Sequence, residues 1–204
     1  MRIREQHGTI WRALASIDND LLVTGSTFSD NVATQLYEGA VFSLGASIPR
    51  IANTTFLSNQ AQNQPGGALH LELAVLGSFI ERSSFVDNSA ILGGAISMFN
   101  NSGSQVIRNC TFFDNISRGD QGGALCSHWD EGLTVSHCAF VRNRATDGDS
   151  AGGLFSDGTT NVTTFVNNIA DKDAVAAWIS DAERFSCVAG SGRQHRASET
   201  VAAS

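Results

Sequence analysis

The sequence predicts an all-β fold, a β-solenoid of about six coils with a short N-terminal capping helix. Three observations lead to this fold class. The phrase Phe-x-x-Asn recurs every 25 to 29 residues, a Gly-Gly-Ala phrase recurs between its copies, and the residues around both phrases alternate between apolar and polar. Alternation with a period of two is typical of strands, and a fixed step of this length is typical of stacked repeats. Each copy should therefore form one coil of about three short strands, paired in parallel with the next coil.

Stacking in register turns every inward position into a column through the core. The phenylalanines should form an aromatic column, in which burial of each ring contributes very roughly 1.5 to 3 kcal/mol. The asparagines should form a ladder, because a side-chain amide can donate to one neighbour and accept from the other. The predicted core ladder consists of Phe28, Phe56, Phe85, Phe112, Phe140, Phe165, Asn31, Asn59, Asn88, Asn115, Asn143 and Asn168.

Composition narrows the classes of function. The 204 residues are 42% hydrophobic, which is enough for a sizeable core, and the net charge is −7 with a single lysine among 13 basic residues. Without a basic patch, nucleic acid is not expected as a partner. No run of about 18 apolar residues predicts a transmembrane segment. The first 19 residues carry charges throughout and do not resemble a secretory signal.

Both ends of a solenoid need a cover, since an open coil exposes unpaired strand edges. Ile10, Trp11, Leu14 and Ile17 have spacings that fit one face of a short helix. The predicted organisation is an N-terminal cap at 1–20, parallel β-helix repeats at 21–178, and a C-terminal cap with a flexible tail at 179–204.

The paired phrases, GGAL or GGAI with FxxN, resemble the polymorphic outer membrane protein (Pmp-like) repeat of chlamydial autotransporter passenger domains. The resemblance covers about Leu21 to Trp178, and the first and sixth copies depart from it with EGAV and DAVAAW. It implies a right-handed parallel β-helix of the pectin-lyase-like superfamily. It also implies adhesion at an extracellular or cell-envelope location and flanking domains of a larger chain. Because the first residues do not resemble a secretory signal, a cytoplasmic location is the alternative. The repeat pattern itself indicates no cofactor.

Two cysteines share one inward position. Cys110 and Cys138 each lie two residues before a phenylalanine of the column. Equivalent Cα atoms of neighbouring coils are about 4.8 Å apart, which is within the disulfide range. The alternative is a pair of small buried thiols, in a column that otherwise holds serine and threonine.

Aspartates recur in the loop between the asparagine and the glycine corner. Carboxylates stacked along one edge are ligands that Ca²⁺ prefers, so Ca²⁺ is the one cofactor that the sequence suggests. The alternative is a solvated loop face, because no fixed calcium-loop spacing occurs. The candidate metal residues are Asp120, Asp147, Asp149, Asp171 and Asp173.

Aromatic and acidic residues follow the glycine corner on neighbouring coils. They suggest a sugar-binding surface formed by His128, Trp129, Asp130 and Asp157. Two carboxylates are also the minimum for glycoside hydrolysis, but no catalytic residue can be assigned from the pattern. The nearby Arg142 is expected to pair with Asp114, which occupies the same column one coil earlier.

The sequence therefore favours a non-catalytic repeat scaffold for adhesion or assembly, with protein or carbohydrate as its partner at a surface. The alternative is a carbohydrate-active β-helix enzyme, such as a polysaccharide lyase or glycosidase, or a sugar-binding domain of the same fold. A rigid face that binds a partner loses little conformational entropy on binding, which suits a scaffold.

Overall fold

The structure is a computed structural model. It describes residues 14–34, 39–75, 77–119, 121–146 and 152–157 with their side chains, and the backbone of residues 2–3, 163–166, 169–170, 175–179, 186–188 and 193–196. No helix occurs among these residues. All their strands pair in parallel, in four sheets that run along a β-solenoid.

Two sheets flank the repeated asparagine. The phenylalanine sheet contains Arg2–Ile3, Thr27–Ser29, Thr55–Leu57, Ser84–Val86, Thr111–Phe113, Ala139–Val141 and Ile169–Ala170. The post-asparagine sheet contains the two-residue strands Val32–Ala33, Gln60–Ala61, Ser89–Ala90, Ile116–Ser117 and Arg144–Ala145.

Two further sheets complete each coil. The post-glycine sheet contains Leu14–Ile17, Val41–Leu44, Leu69–Glu72, Ile96–Phe99, Leu125–His128, Leu154–Ser156, Val175–Ile179 and Arg193–Arg196. The pre-phenylalanine sheet contains Leu21–Thr24, Pro49–Ala52, Phe79–Glu81, Ser104–Arg108, Gly132–Ser136, Thr163–Val166 and Ser186–Val188. The sequence predicted about three strands in a coil, and the fourth is the short one after the asparagine.

The aromatic column lies inside the solenoid. Successive rings from Phe28 to Phe140 are parallel to within 8°, and their centroids are 4.7 to 5.1 Å apart. All five rings are buried. The rings follow the spacing of the strands, because each phenylalanine lies directly opposite its equivalent in the next coil.

The asparagine ladder fixes this register. Asn88 Nδ2 donates to Asn115 Oδ1 at 3.0 Å and to the carbonyl oxygen of Phe56 at 3.2 Å. Its own Oδ1 accepts from both the backbone N–H and the Nδ2 of Asn59. Equivalent amide-to-amide bonds join each neighbouring pair from Asn31 to Asn143. One side chain thus connects three coils.

The glycine phrase marks the place where successive coils approach most closely. A Cβ added at Gly94 would lie 2.2 Å from the carbonyl oxygen of Gly123, which is closer than real Cβ atoms come. Gly93, next to it, has a φ of +56°, a conformation that glycine adopts without strain. Both glycines are therefore required by the corner.

Phe165 does not continue the aromatic column, so its assignment to the core ladder is wrong. The backbone register places Phe165 opposite Val135 in the pre-phenylalanine sheet. The position opposite Phe140 is held by Ala170. The predicted partner Asn168 lies outside the described residues.

Chain length explains this difference. Phe140 follows Leu125 by 15 residues, whereas Phe165 follows Leu154 by only 11. A strand of the pre-phenylalanine sheet and a turn must fit into this interval. The shorter interval does not hold both, so Phe165 falls one strand early.

The predicted capping helix is wrong where the structure describes it. Leu14–Ile17 is a strand that pairs with Val41–Leu44, and Leu14 packs against the core. Its residues alternate between half-buried and exposed, as a strand with one covered face requires. Ile10 and Trp11 lie outside the described residues. At the other end, Ser186–Val188 and Arg193–Arg196 extend the sheets beyond residue 178, into the predicted cap and tail.

We expect Phe112→Ala to lower the free energy of unfolding by about 3 to 5 kcal/mol, because it opens a cavity in a buried stack. Phe113→Ala is the matched control, since the neighbouring ring is only half-buried. Denaturant melts measure both. A loss below about 1 kcal/mol for Phe112→Ala would contradict its place in the core.

We expect Asn88→Ala to cost about 3 kcal/mol or more, because it leaves buried donors and acceptors of three coils without partners. Asn31→Ala should cost only about 1 kcal/mol. Asn31 is at the end of the described ladder, where its Oδ1 has no partner, and the Oδ1 of Asn59 would keep the bond from the Asn31 backbone N–H. Equal losses in denaturant melts would show that the ladder does not carry this energy.

Candidate functional site

The two stacked cysteines belong to a column of hydrogen-bonding side chains. Every member, whether serine, threonine or cysteine, donates to the carbonyl oxygen two residues earlier, at 2.9 to 3.3 Å. The thiol of Cys138 also accepts the backbone N–H of Cys110 at 3.4 Å, as Ser83 Oγ accepts that of Thr54 at 3.2 Å. Each thiol therefore takes the place of a hydroxyl.

Cys110 and Cys138 are buried in the structure and are present as thiols. The adjacent thiol of Cys138 and burial both raise the pKa of the Cys110 thiol. A disulfide would remove both S–H donors from the column. The hydrogen bonds thus favour the alternative of two inert thiols, because reactive cysteines need an accessible thiolate.

His128, one of the candidate sugar-binding residues, is held through both of its ring nitrogens. Its Nδ1 lies 2.7 Å from Asp157 Oδ2, and its Nε2 lies 2.5 Å from Gln121 Oε1. The rings of Phe99 and Phe155 lie on either side, with centroids 4.9 and 5.3 Å from that of the imidazole. Because both ring nitrogens face oxygen atoms of the protein, neither is directed at a ligand in solution.

Asp130 lies in a buried ladder of its own. It accepts hydrogen bonds from the backbone N–H and the Nδ2 of Asn101, both at 2.8 Å, and from Ser127 Oγ at 2.5 Å. Asn101 in turn accepts the backbone N–H of Ala74 at 2.7 Å. Burial raises the pKa of the Asp130 carboxyl. Asp130 thus joins coils, as the core asparagines do, and is not available to a sugar.

The structure brings three of the four candidates together. Trp129 is 54% exposed, and its ring lies 5.6 Å from that of His128 and 6.2 Å from that of Phe99. Asp157 is half-buried beside His128. Of the predicted sugar-binding set, only Trp129 presents a broad surface to solvent.

Two carboxylates of the described residues, Asp114 and Glu81, are paired with arginines. Arg142 pairs with Asp114 as predicted, through Nε at 2.8 Å from Oδ1 and a second bond from Nη2, and this pairing lowers the pKa of Asp114. Glu81 forms a similar arrangement and accepts hydrogen bonds from both Arg108 and Arg82.

The five predicted calcium aspartates lie outside the described residues. Within the described part, no group of histidine, cysteine and acidic residues could hold a metal ion.

The corner after the post-glycine sheet carries a feature that the sequence did not reveal. Alternation from Leu69 onward suggests that Leu73 is an inward strand residue. The strand ends at Glu72, however, and Leu73 is 46% exposed with a φ of +59°. The sequence does contain a signal for this corner. Gly45 and Asn100 occupy the equivalent position in the neighbouring coils, and glycine and asparagine both tolerate positive φ.

We expect iodoacetamide to leave Cys110 and Cys138 unmodified in the folded protein and to modify both after unfolding without reductant. Burial protects both thiols in the fold, and the raised pKa of Cys110 protects that thiol further. Mass spectrometry of tryptic peptides measures this. If modification of the unfolded chain needs a reductant, the pair is a disulfide. Cys110→Ser is the control that should still fold, because Ser83 fills the same place one coil earlier.

Comparisons with known proteins agree with this architecture. The family model described as right-handed beta helix region matches residues 15–187. A curated relative, the metabotropic glutamate receptor-like protein R of Dictyostelium discoideum, is 28% identical over 170 residues. The match covers 83% of this chain and 10% of that protein, so the chain spans about a tenth of the relative's length. No solved structure matches the chain. The repeats, the four parallel sheets and the family match lead to one conclusion: the chain belongs to the right-handed β-helix family.

Proposed function

We propose that the chain is a non-catalytic β-helix scaffold that displays a rigid surface for adhesion or assembly at a cell surface or outside the cell. One observation carries the proposal: the described groups best suited to catalysis are committed to partners within the fold. Asp130 accepts three hydrogen bonds, His128 is held through both nitrogens, and Glu81 is paired with two arginines. A catalytic acid or base must instead reach the substrate.

Two resemblances support the location and the role. The relative with a matching segment is named a receptor-like protein. The paired GGA and FxxN phrases resemble the repeat of chlamydial passenger domains, in which adhesion is the associated activity. The described part of the chain contains no helix with the length and apolar character that a membrane crossing requires.

The solenoid suits display because its surface is preorganised. Cross-coil hydrogen bonds of Asn59, Asn88 and Asn115 hold successive coils in one register. Side chains at equivalent outward positions then lie at a spacing of about 4.8 Å. A partner that binds several of them orders little of the protein on binding.

A sugar-binding role is the second candidate, and the exposed ring of Trp129 is the observation that favours it. The face of an aromatic ring such as Trp129 can bind the apolar face of another molecule. The half-buried carboxylate of Asp157 is also close, because it bonds His128, whose ring is next to that of Trp129. The buried position of Asp130 removes one of the two carboxylates that glycoside hydrolysis would need at this place.

We expect the chain to release no product from a pooled panel of polysaccharides. Reducing-end assays detect hydrolysis, and absorbance of unsaturated uronates detects lyase activity. Cleavage that His128→Ala or Asp157→Asn abolishes would overturn the scaffold proposal. Retention of a polysaccharide by the chain but not by Trp129→Ala, without cleavage, would favour the sugar-binding candidate.

A further inference from the structure

An apolar ridge runs along the corner that follows the post-glycine sheet. It consists of Leu73 and Trp129 at the corner position and of Ile17, Leu44 and Phe99 at the last strand position before the corner, so that each of five successive coils contributes one residue. In the coils of Leu73 and Trp129 this last strand position is held by Glu72 and His128. About half of the surface of Ile17, Leu73 and Trp129 is exposed, whereas Leu44 and Phe99 are more buried than these three. Four coil steps of about 4.8 Å make the ridge roughly 19 Å long.

Two members of the ridge are held in an unfavourable backbone conformation. Leu73 and Trp129 have φ values of +59° and +54°, in the left-handed region that bulky side chains rarely adopt. The equivalent corner residues in other coils are Asp18, Gly45 and Asn100, which tolerate this region. Among the described residues with positive φ, Leu73 and Trp129 are the only large apolar ones.

Stability of the fold does not explain these two side chains. They add little to the core, because about half of each side chain is exposed, and asparagine or glycine would fit the corner with less strain. Strained residues at an exposed position are typical of binding surfaces. Leucine and tryptophan at this corner are therefore best explained by contacts with another molecule.

The charges around the ridge are acidic. Asp18, Asp20 and Glu131 are exposed next to it, and Glu72 and Asp157 are half-buried along it. His70 Nε2 lies 3.6 Å from Glu72 Oε2, and this neighbouring imidazole lowers the pKa of the Glu72 carboxyl. No lysine or arginine occurs in the described segments that form the corner, which are 14–24, 41–49, 69–75, 96–104 and 125–133.

We propose that this ridge is a protein-docking surface whose partner presents apolar side chains flanked by lysine or arginine. The proposal rests on the scaffold function above and names its binding face. An apolar centre with a charged rim is the usual anatomy of a protein interface, and the acidic rim requires a basic partner. The same rim disfavours a second copy of this chain, since the acidic corners of two copies would repel each other.

A protein fits the ridge better than a sugar does. Carbohydrate recognition combines a planar aromatic face with hydrogen-bonding groups aimed at hydroxyls. Here the polar neighbours of the exposed Trp129 ring are used within the fold, because Asp130 is buried and both ring nitrogens of His128 lie against protein oxygens. Extended burial along five coils gives an apolar partner segment more contact area than one sugar ring would use.

The test measures binding of two synthetic peptide libraries to the full chain by fluorescence anisotropy. In one library apolar residues alternate with lysine or arginine, and in the matched library they alternate with glutamate. We expect binding from the basic library alone, with an affinity that falls as salt rises, because salt screens the acidic rim. Failure of both libraries to bind, or equal binding by both, would overturn the proposal.

The decisive variant is Leu73→Asn combined with Trp129→Asn, which copies the corner residue Asn100. We expect it to weaken peptide binding at least about 30-fold, the loss expected for removal of an interface hot spot. Its melting temperature should stay equal to or rise above that of the parent chain, because asparagine tolerates positive φ. A fall in melting temperature without loss of binding would assign the two residues to stability and overturn the proposal.

Leu57→Ser is the matched control on another face. Leu57 is 39% exposed on the phenylalanine sheet, and Ser29 holds its position one coil earlier. The control should bind the peptides as the parent does. Loss of binding in the control alone would show that peptides bind at the face around Leu57. It would refute the proposal that the ridge is the docking surface, but it would leave the proposed scaffold function untouched. Polysaccharide cleavage would instead refute the scaffold function, so the two failures are distinguishable.

Discussion

The side-chain amide ladder is the interaction on which the rest of the structure depends. An asparagine amide has donors and an acceptor at opposite ends, so it can bond the coil before it and the coil after it at the same time. In Asn88 these bonds reach two neighbouring asparagines and a backbone carbonyl. A shift by one residue would bury all these groups unpaired, at about 1 to 3 kcal/mol each. The ladder therefore sets one register for every sheet.

Because the register is fixed, equivalent outward residues also form columns, and the inward and outward faces of the sheets have different roles. Inward columns hold the stacked phenylalanines, the hydroxyl and thiol groups, and the second ladder of Asn101 and Asp130. Outward positions at the exposed corners are less constrained by packing, as the corner column of Asp18, Gly45, Leu73, Asn100 and Trp129 illustrates. The unusual residues of this chain, Leu73 and Trp129 at positive φ, lie on the outside for this reason.

The proposed function rests on this division between inside and outside. Among the described residues, polar side chains of the kinds that enzymes use form hydrogen bonds between coils, as Asp130 and Cys110 illustrate. The surface in turn presents apolar and acidic side chains in a fixed line. A molecule built in this way is suited to holding a partner along its length, and its rigidity limits the entropy lost on binding.

The repeat phrases alone predicted the all-β solenoid, the parallel register, the aromatic column up to Phe140 and the pairing of Arg142 with Asp114. Each of these depends only on the spacing of residues along the sequence, because stacked coils place residues one repeat apart next to each other. The phrase spacing did not predict the strand Leu14–Ile17, the displacement of Phe165, the burial of Asp130 or the exposure of Leu73. These depend on where the chain turns and on how many residues reach from one corner to the next. Only the folded backbone decides them, since a turn moves a side chain from the core to the surface without changing the sequence pattern around it.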